Sequence, residues 1–159
     1  MENDTYITNS SAQTKKMGKI LAEEILKSKE SRKQGFVIGL KGDLGSGKTC
    51  FLQGFAKGLG IKEKILSPTF TIMKKFQIPK KRNSHYLLPI ARFFYHFDCY
   101  RIGQSKEILE LGFKEIVACP GNVVAIEWPE KINKFLPKNT LILKFEFLDE
   151  NTRRITFNH

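Results

Sequence analysis

Apolar residues along the chain follow two main patterns, continuous runs and helical stripes. Continuous runs at 35–41, 92–97 and 122–126 predict strands that are buried on both faces of a sheet. Apolar residues spaced three or four positions apart predict amphipathic helices at 12–27 and 48–59. The expected buried stripes are Met17, Ile20, Leu21, Ile25 and Leu26 in the first helix, which Ser10 or Ser11 caps, and Phe51, Phe55 and Leu59 in the second.

Shorter elements complete the pattern. Alternating apolar and polar residues at 140–147, followed by 153–157, predict a terminal antiparallel hairpin. Short strands are expected at 6–8 and 70–76, and short helices at 105–111, 113–117 and 129–136. Because strands and helices alternate, we expect one α/β domain over 1–159, with a mostly parallel sheet and antiparallel edge strands.

The charge of the chain is strongly basic, at +11 from 27 basic and 16 acidic residues. Lys supplies 21 of the basic residues and is spread along the chain, which by itself indicates no particular partner. Only 74–92 concentrates charge, with six Lys or Arg and no acid, and we interpret it as a basic insertion. It is either a solvated loop or an electrostatic contact surface for RNA or an acidic protein.

The composition also bears on location. No apolar run approaches the roughly 18 residues of a membrane span, and the first residues are polar rather than a secretory signal. The three cysteines are scattered and form no CxxC pair, which argues against a disulfide framework or a structural zinc site. We therefore expect a cytoplasmic protein without membrane contact.

The most specific motif is GDLGSGKT at 42–49, between a predicted buried strand and a predicted helix. It matches the P-loop pattern, whose residues here are Gly42, Asp43, Leu44, Gly45, Ser46, Gly47, Lys48 and Thr49. Glycines let backbone N–H groups turn inward around a phosphate, and the helix N-terminus adds further donors. Lys48 is expected to reach the β and γ phosphates, and Thr49 to bind Mg²⁺. The motif predicts a P-loop NTPase-like three-layer sandwich that binds a nucleoside triphosphate.

A P-loop site also needs an acid at the end of a neighbouring strand. Asp98 follows the apolar run at 93–97, and Glu127 follows the run at 123–126. Ligands of open α/β sheets bind at the carboxyl ends of strands, so both acids are candidates for the metal and for the attacking water. The sequence leaves open which of them binds Mg²⁺ directly.

Other residues near these acids have a structural and a functional interpretation. Arg101 is either an ion-pair residue or an internal arginine finger. His96 is expected to be a hydrogen-bonded core or edge histidine rather than a chemical group. Trp128 either packs beneath the site or contacts nucleotide or a partner. Arg153 and Arg154 are expected to be hairpin residues, although one could point toward the nucleotide.

Five motifs in one order give the chain a family resemblance. They are GDLGSGKT at 42–49, SPTF at 67–70, HFDCYR at 96–101, LELGFKE at 109–115 and IEWPE at 126–130. This order resembles the TsaE (YjeE) family, small bacterial ATPases of tRNA threonylcarbamoyladenosine synthesis. The combination is much more specific than the P-loop alone, and the likeness covers nearly the whole chain.

The resemblance implies a function and assigns roles. It implies that ATP hydrolysis, with Mg²⁺, supports a partner pair, TsaB with TsaD, which modifies the adenosine beside the tRNA anticodon, so that tRNA is met, if at all, through the complex. By resemblance, Glu127, Asp98 and Lys48 are catalytic, Thr69 belongs to a switch loop, and Ser11 lies near the adenine. Cys50 stands where the family is expected to carry Thr and belongs with the nucleotide-binding loop.

Two rival functions use the same P-loop. One is a small-molecule or nucleotide kinase in which the basic insertion closes as a lid. The other is a nucleotide-gated binding module with negligible hydrolysis. Transfer of labelled phosphate from ATP distinguishes the first, and turnover in the presence of partners distinguishes the second.

Overall fold

The computed structural model describes residues 3–28, 31–67, 71–80 and 92–158. Within these residues the chain forms seven strands, four α-helices and one 3-10 helix. In chain order they are β1 Asp4–Thr8, α1 Ser11–Lys27, β2 Phe36–Lys41, α2 Lys48–Gly58, β3 Met73–Gln77, β4 Phe93–Asp98, α3 Glu107–Glu110, α4 Phe113–Ala118, β5 Asn122–Glu127, the 3-10 helix Pro129–Phe135, β6 Leu141–Phe147 and β7 Arg153–Asn158.

The strands form one mixed sheet in the order β1-β7-β6-β2-β5-β4-β3. Its centre is parallel, since β2 pairs in parallel with β5 and β6, and β5 pairs in parallel with β4. The β1–β7, β6–β7 and β3–β4 pairs are antiparallel. Five strands therefore run in one direction, and only β3 and β7 oppose them. The α/β fold with a mostly parallel sheet and antiparallel pairing at both edges is confirmed.

Helices cover both faces of this sheet. Side chains of successive strand residues point to opposite faces, so each central strand supplies two cores. Helices α1 and α2 pack on one face, against side chains such as Ile38 and Leu40. Helices α3 and α4 and the 3-10 helix pack on the other, against side chains such as Val37 and Val124. The arrangement is the three-layer sandwich that the motif predicted.

Helices α1 and α2 lie unusually close together because glycines line their contact. A Cβ atom built on Gly54 would overlap the backbone carbonyl of Lys15, so no larger residue fits there. Ser10 caps α1 as expected, its hydroxyl accepting a hydrogen bond from the Gln13 N–H at 3.1 Å. The predicted stripe is wrong at Ile20, which is 49% exposed, because Gly18 and Ala22 occupy the face of α1 that meets α2.

Two shorter elements differ from the prediction. The strand expected at 70–76 is β3, Met73–Gln77, and its exposed Lys74 and Lys75 begin the basic stretch. Helix α3 has no side-chain cap from Ser105; instead the Glu107 carboxylate accepts a hydrogen bond from the Gln104 N–H at 2.7 Å. The centre of the basic insertion, 81–91, lies outside the described residues, so its role stays a prediction. No helix in the described part of the chain is long and apolar enough to cross a membrane.

Candidate nucleotide and metal site

The carboxyl ends of three parallel strands meet at one edge of the sheet. In the register, Leu40 of β2 and Asp98 of β4 both lie opposite Glu127 of β5. A cleft of about 720 Å³ opens there, at the start of α2. Its lining includes these residues singled out from the sequence: Leu44, Gly45, Gly47, Lys48, Thr49, Cys50, Asp98, Arg101, Glu127 and Trp128. The topology therefore brings together motifs that are separated by up to 84 positions along the chain.

One wall of the cleft is the segment 42–49, which we call the phosphate loop. Gly47 directly precedes α2 with φ at +102°, a backbone conformation that L side chains rarely adopt. This turn ends the loop and starts the helix, whose Phe51 N–H donates to the Gly47 carbonyl at 2.9 Å. The helix thus begins with its unpaired N–H groups beside the cleft, where an anion is favoured.

Lys48 is buried under this loop, with only 4% of its surface exposed. Its ammonium donates hydrogen bonds to the carbonyl oxygens of Gly42, at 2.5 Å, and Asp43, at 2.8 Å, and lies 3.5 Å from the Ser46 hydroxyl. Burial lowers the Lys48 pKa below its usual value, while the negative charges of Glu127 and Asp98 oppose that shift. The loop therefore holds a buried cation at the position where the motif predicts contact with phosphate.

The opposite wall is formed by Asp98, Glu127 and Trp128, at or beside the ends of β4 and β5. Together with the fully buried His96, which contacts Glu127, we call these residues the strand-end cluster. The Glu127 side chain is only 4% exposed. Its Oε1 accepts a hydrogen bond from the Thr49 hydroxyl at 3.4 Å and lies 2.9 Å from His96 Nε2. A hydroxyl and a carboxylate thus face each other across the cleft, and hard oxygen groups of this kind suit Mg²⁺.

Asp98 is more open than Glu127 and faces a different neighbour. One of its oxygens accepts a hydrogen bond from the Ser67 hydroxyl at 2.6 Å, and the other accepts the Tyr100 N–H at 3.1 Å. Ser67 opens the SPTF motif, so this bond ties that segment to the end of β4. The rest of the motif, including the predicted switch residue Thr69, lies outside the described residues, and its role stays a prediction.

Trp128 has the one left-handed backbone conformation among the described residues that are not glycine, with φ at +60°. For a bulky residue this conformation costs roughly 1–2 kcal/mol, and such strain is concentrated at functional sites. Its N–H donates to the Leu40 carbonyl at 3.2 Å, and its ring lies 4.7 Å from the Lys48 ammonium and 5.0 Å from the Tyr100 ring. The strained turn therefore places an aromatic face over the buried cation.

The remaining predicted residues lie at or beside the cleft. Arg101 is exposed and contributes to the lining. Cys50 also contributes, and its thiol donates to the Ser11 carbonyl at 3.4 Å. Ser11 is thereby placed next to the cleft, in the first turn of α1, rather than in its lining. Its contact with adenine stays a prediction.

Arg153 belongs to the terminal hairpin and also reaches the cleft. It was expected to be a hairpin residue, with the alternative that it or Arg154 points toward the nucleotide. It begins β7, and its side chain lines the cleft and passes 3.6 Å from where a Cβ of Gly47 would stand. The guanidinium donates to the Asp149 carbonyl at 2.6 Å and lies 4.6 Å from the Phe147 ring centre. The terminal hairpin of β6 and β7 was predicted, but the alternation of apolar and polar residues did not show which of its two arginines faces the cleft.

Comparison with known proteins decides the family. The family model described as "Threonylcarbamoyl adenosine biosynthesis protein TsaE" matches residues 8–155. The chain belongs to the TsaE family. Its resemblance to that family, based on five motifs, is thus confirmed over nearly its whole length. The family acts in tRNA threonylcarbamoyladenosine biosynthesis, and the chain is assigned to that process.

Individual TsaE relatives agree with this assignment. The chain is 39% identical over 125 residues to the tRNA threonylcarbamoyladenosine biosynthesis protein TsaE of Bacillus subtilis, covering 79% of this chain and 70% of the relative. It is 37% identical over 123 residues to the protein of the same description from Treponema pallidum, covering 77% and 82%. The crystal structure of B. subtilis YdiB matches with a TM-score of 0.67 and 31% identity, covering 98% of this chain and 84% of that one.

Proposed function

We propose that this TsaE-family chain binds ATP with Mg²⁺ in the cleft and hydrolyses it in support of TsaB and TsaD during tRNA modification. The observation that carries the proposal is the meeting of the phosphate loop with Glu127. Thr49, the residue after the loop lysine, has its hydroxyl 3.4 Å from the Glu127 carboxylate. A nucleotide-binding loop and an acid are thereby paired across one cleft.

The loop side of the cleft fits a triphosphate. Lys48 brings a positive charge that is already desolvated, and α2 begins at the same place with its positive dipole end. The carbonyl oxygens that now accept from the ammonium are neutral, so charged phosphate oxygens would be stronger acceptors for it. Arg153 adds a second cation at the edge of the loop.

The acid side of the cleft fits the metal. Thr49 and Glu127 would hold Mg²⁺ directly or through water, with Asp98 at the adjoining strand end as the second acid. Mg²⁺ bound with ATP supplies charge neutralisation on the β and γ phosphates. The carboxylate that does not bind the metal remains available to orient a water molecule, and Glu127 and Asp98 are both candidates for that role.

The test of the proposal measures phosphate release from Mg-ATP by the chain with purified TsaB and TsaD. We expect turnover to rise when the pair is added and to disappear on chelation of the metal. Lys48→Ala should abolish it because the buried cation is lost, with an expected fall of at least 100-fold. Lys57→Ala is the matched control, since Lys57 is exposed at the far end of the same helix.

Three results would contradict the proposal in different ways. If the pair binds but turnover does not rise, the chain is a nucleotide-gated module rather than an ATPase. If labelled phosphate moves stoichiometrically from ATP to a nucleoside, nucleotide or small metabolite, the chain is a kinase. If calorimetry with magnesium detects no binding of ATP or ADP, the cleft is not a nucleotide site.

A further inference from the structure

His96 is fully buried and contacts the acid of the strand-end cluster. It lies two residues before Asp98 on β4, and its Nε2 is 2.9 Å from Glu127 Oε1 on the neighbouring strand. The same oxygen accepts the Thr49 hydroxyl. Both hydrogen bonds therefore converge on one oxygen of Glu127, and the second oxygen is left for other contacts.

The direction of this hydrogen bond follows from the charge of the acid. An ionised Glu127 carboxylate would have only acceptor sites, and the hydrogen between these atoms would then belong to His96 Nε2. The other ring nitrogen, Nδ1, is buried and has no hydrogen-bond partner among the residues that the structure describes. If His96 served only for packing, burying Nδ1 without a partner would cost free energy. An apolar side chain of similar size would fill the same space without that cost.

We infer that His96 is a positioning residue for Glu127. Its Nε2–H fixes Oε1 against the Thr49 side of the cleft and so sets the direction of the other carboxylate oxygen, Oε2, toward a metal-bound or attacking water. The inference deepens the proposed ATPase function and rests on it. Replacing a residue that hydrogen-bonds a metal ligand, without itself touching the metal, typically lowers metal affinity or activity 10- to 100-fold.

The chain offers a matched pair of substitutions for the test. The side-chain amide of Gln places an N–H donor about where His Nε2 stands, whereas Met has similar length and no donor. With TsaB, TsaD and Mg-ATP, His96→Met should lower kcat about 10-fold or more and leave the Kd for ATP within about twofold. His96→Gln should recover most of that loss. A folded His96→Met protein with unchanged kcat would overturn the inference, as would a His96→Gln protein as impaired as His96→Met.

A spectroscopic measurement tests the hydrogen bond without nucleotide or partners. In a ¹H–¹⁵N long-range spectrum, His96 should carry hydrogen on Nε2, with the assignment made from the His96→Gln protein. The chemical shift of its Nε2 should change in the Glu127→Gln protein. It should remain unchanged in the Glu130→Gln protein, which alters an exposed acid three positions after Glu127. An Nε2 without hydrogen, or a shift that is insensitive to Glu127, would overturn the inference.

The two experiments separate failure of the inference from failure of the proposed function. If the unsubstituted chain shows no turnover with both partners, the ATPase proposal fails, and the spectrum still decides whether His96 holds Glu127. If turnover is present and His96→Met weakens ATP binding without lowering kcat, the histidine is part of the packing and the inference fails.

Discussion

The two walls of the cleft are built in different ways. The phosphate loop is a continuous segment, 42–49, whose geometry comes from backbone conformation, with Gly47 at positive φ and Lys48 held by loop carbonyls. The strand-end cluster combines side chains of β4 and β5 with Trp128, which follows β5 directly, and these residues meet only because the two strands pair. One wall is therefore local in sequence, and the other depends on the complete sheet.

This difference separates two tasks. A backbone cradle can bind phosphate with little help from other side chains, because its N–H donors are fixed by the turn. Chemistry on the phosphate needs a carboxylate whose position is set more precisely than a loop can set it. In the proposed function Glu127 would meet that need, since it is buried at a strand end, accepts a hydrogen bond from Thr49 of α2 and lies 2.9 Å from His96 Nε2 of β4. We therefore expect binding and turnover to be separable by mutation.

The largest expected effect comes from Glu127→Gln. The substitution keeps side-chain volume and an oxygen that can accept from His96, but removes one charge from the place where we propose that Mg²⁺ binds. Turnover with TsaB and TsaD should fall about 100-fold or more, while the Kd for Mg-ATP changes by less than about fivefold. Phosphate release and calorimetry on the same preparation measure the two quantities.

Glu130→Gln is the control, because Glu130 is an exposed acid on the 3-10 helix just beyond β5. Unaltered turnover in Glu127→Gln would transfer the catalytic role to Asp98, for which Asp98→Asn is the direct test. If Glu127→Gln instead lowers ATP affinity and turnover by the same factor, binding and turnover are not separable between the two walls.

The phosphate loop could be predicted almost completely from sequence. Its glycines, lysine and threonine are adjacent, and the strand before it and the helix after it have clear apolar patterns. The parallel centre of the sheet followed from apolar runs at 35–41, 92–97 and 122–126 in the same way. Local spacing is enough where the interacting groups are neighbours in the chain.

The strand-end cluster could be predicted in composition but not in contacts. Asp98 and Glu127 were identifiable as acids at strand ends, yet the 2.9 Å contact of Glu127 with His96 requires the register of β4 against β5. Sequence spacing cannot supply a register between strands that are separated by 23 residues. The hairpin of β6 and β7 was predictable, whereas which of Arg153 and Arg154 faces the loop was not, for the similar reason that it depends on the register of β7 against β6.

Arg153 gives a second, smaller test, because it adds a side chain to the backbone cradle. Arg153→Ala should weaken ATP binding about five- to tenfold, which corresponds to roughly 1 kcal/mol for one charge-assisted contact at the edge of the site. Arg154→Ala is the matched control, since Arg154 is exposed and its 3.8 Å ion pair with Glu146 is of a kind that contributes little. Equal Kd values for the two variants by calorimetry would contradict a role for Arg153 in binding.

The smallest expected effect is a change in the reactivity of Cys50 when Mg-ATP binds, which would report whether nucleotide occupies the phosphate-loop side of the cleft. Cys119 is exposed and should react first with iodoacetamide, whereas burial raises the pKa of the Cys99 thiol to about 12 and keeps it protonated and unreactive until the chain unfolds. Cys50 lines the cleft and burial also raises its pKa, so its alkylation should be slow at pH 8 and accelerate as the pH rises. Saturating Mg-ATP should slow the alkylation of Cys50 severalfold. The alkylation rate of Cys119 should not change and serves as an internal control, and peptide mass spectrometry measures both rates. If Cys50 reacts at the same rate with and without ATP, the nucleotide does not lie against the start of α2. The phosphate loop would then not be the segment that binds it.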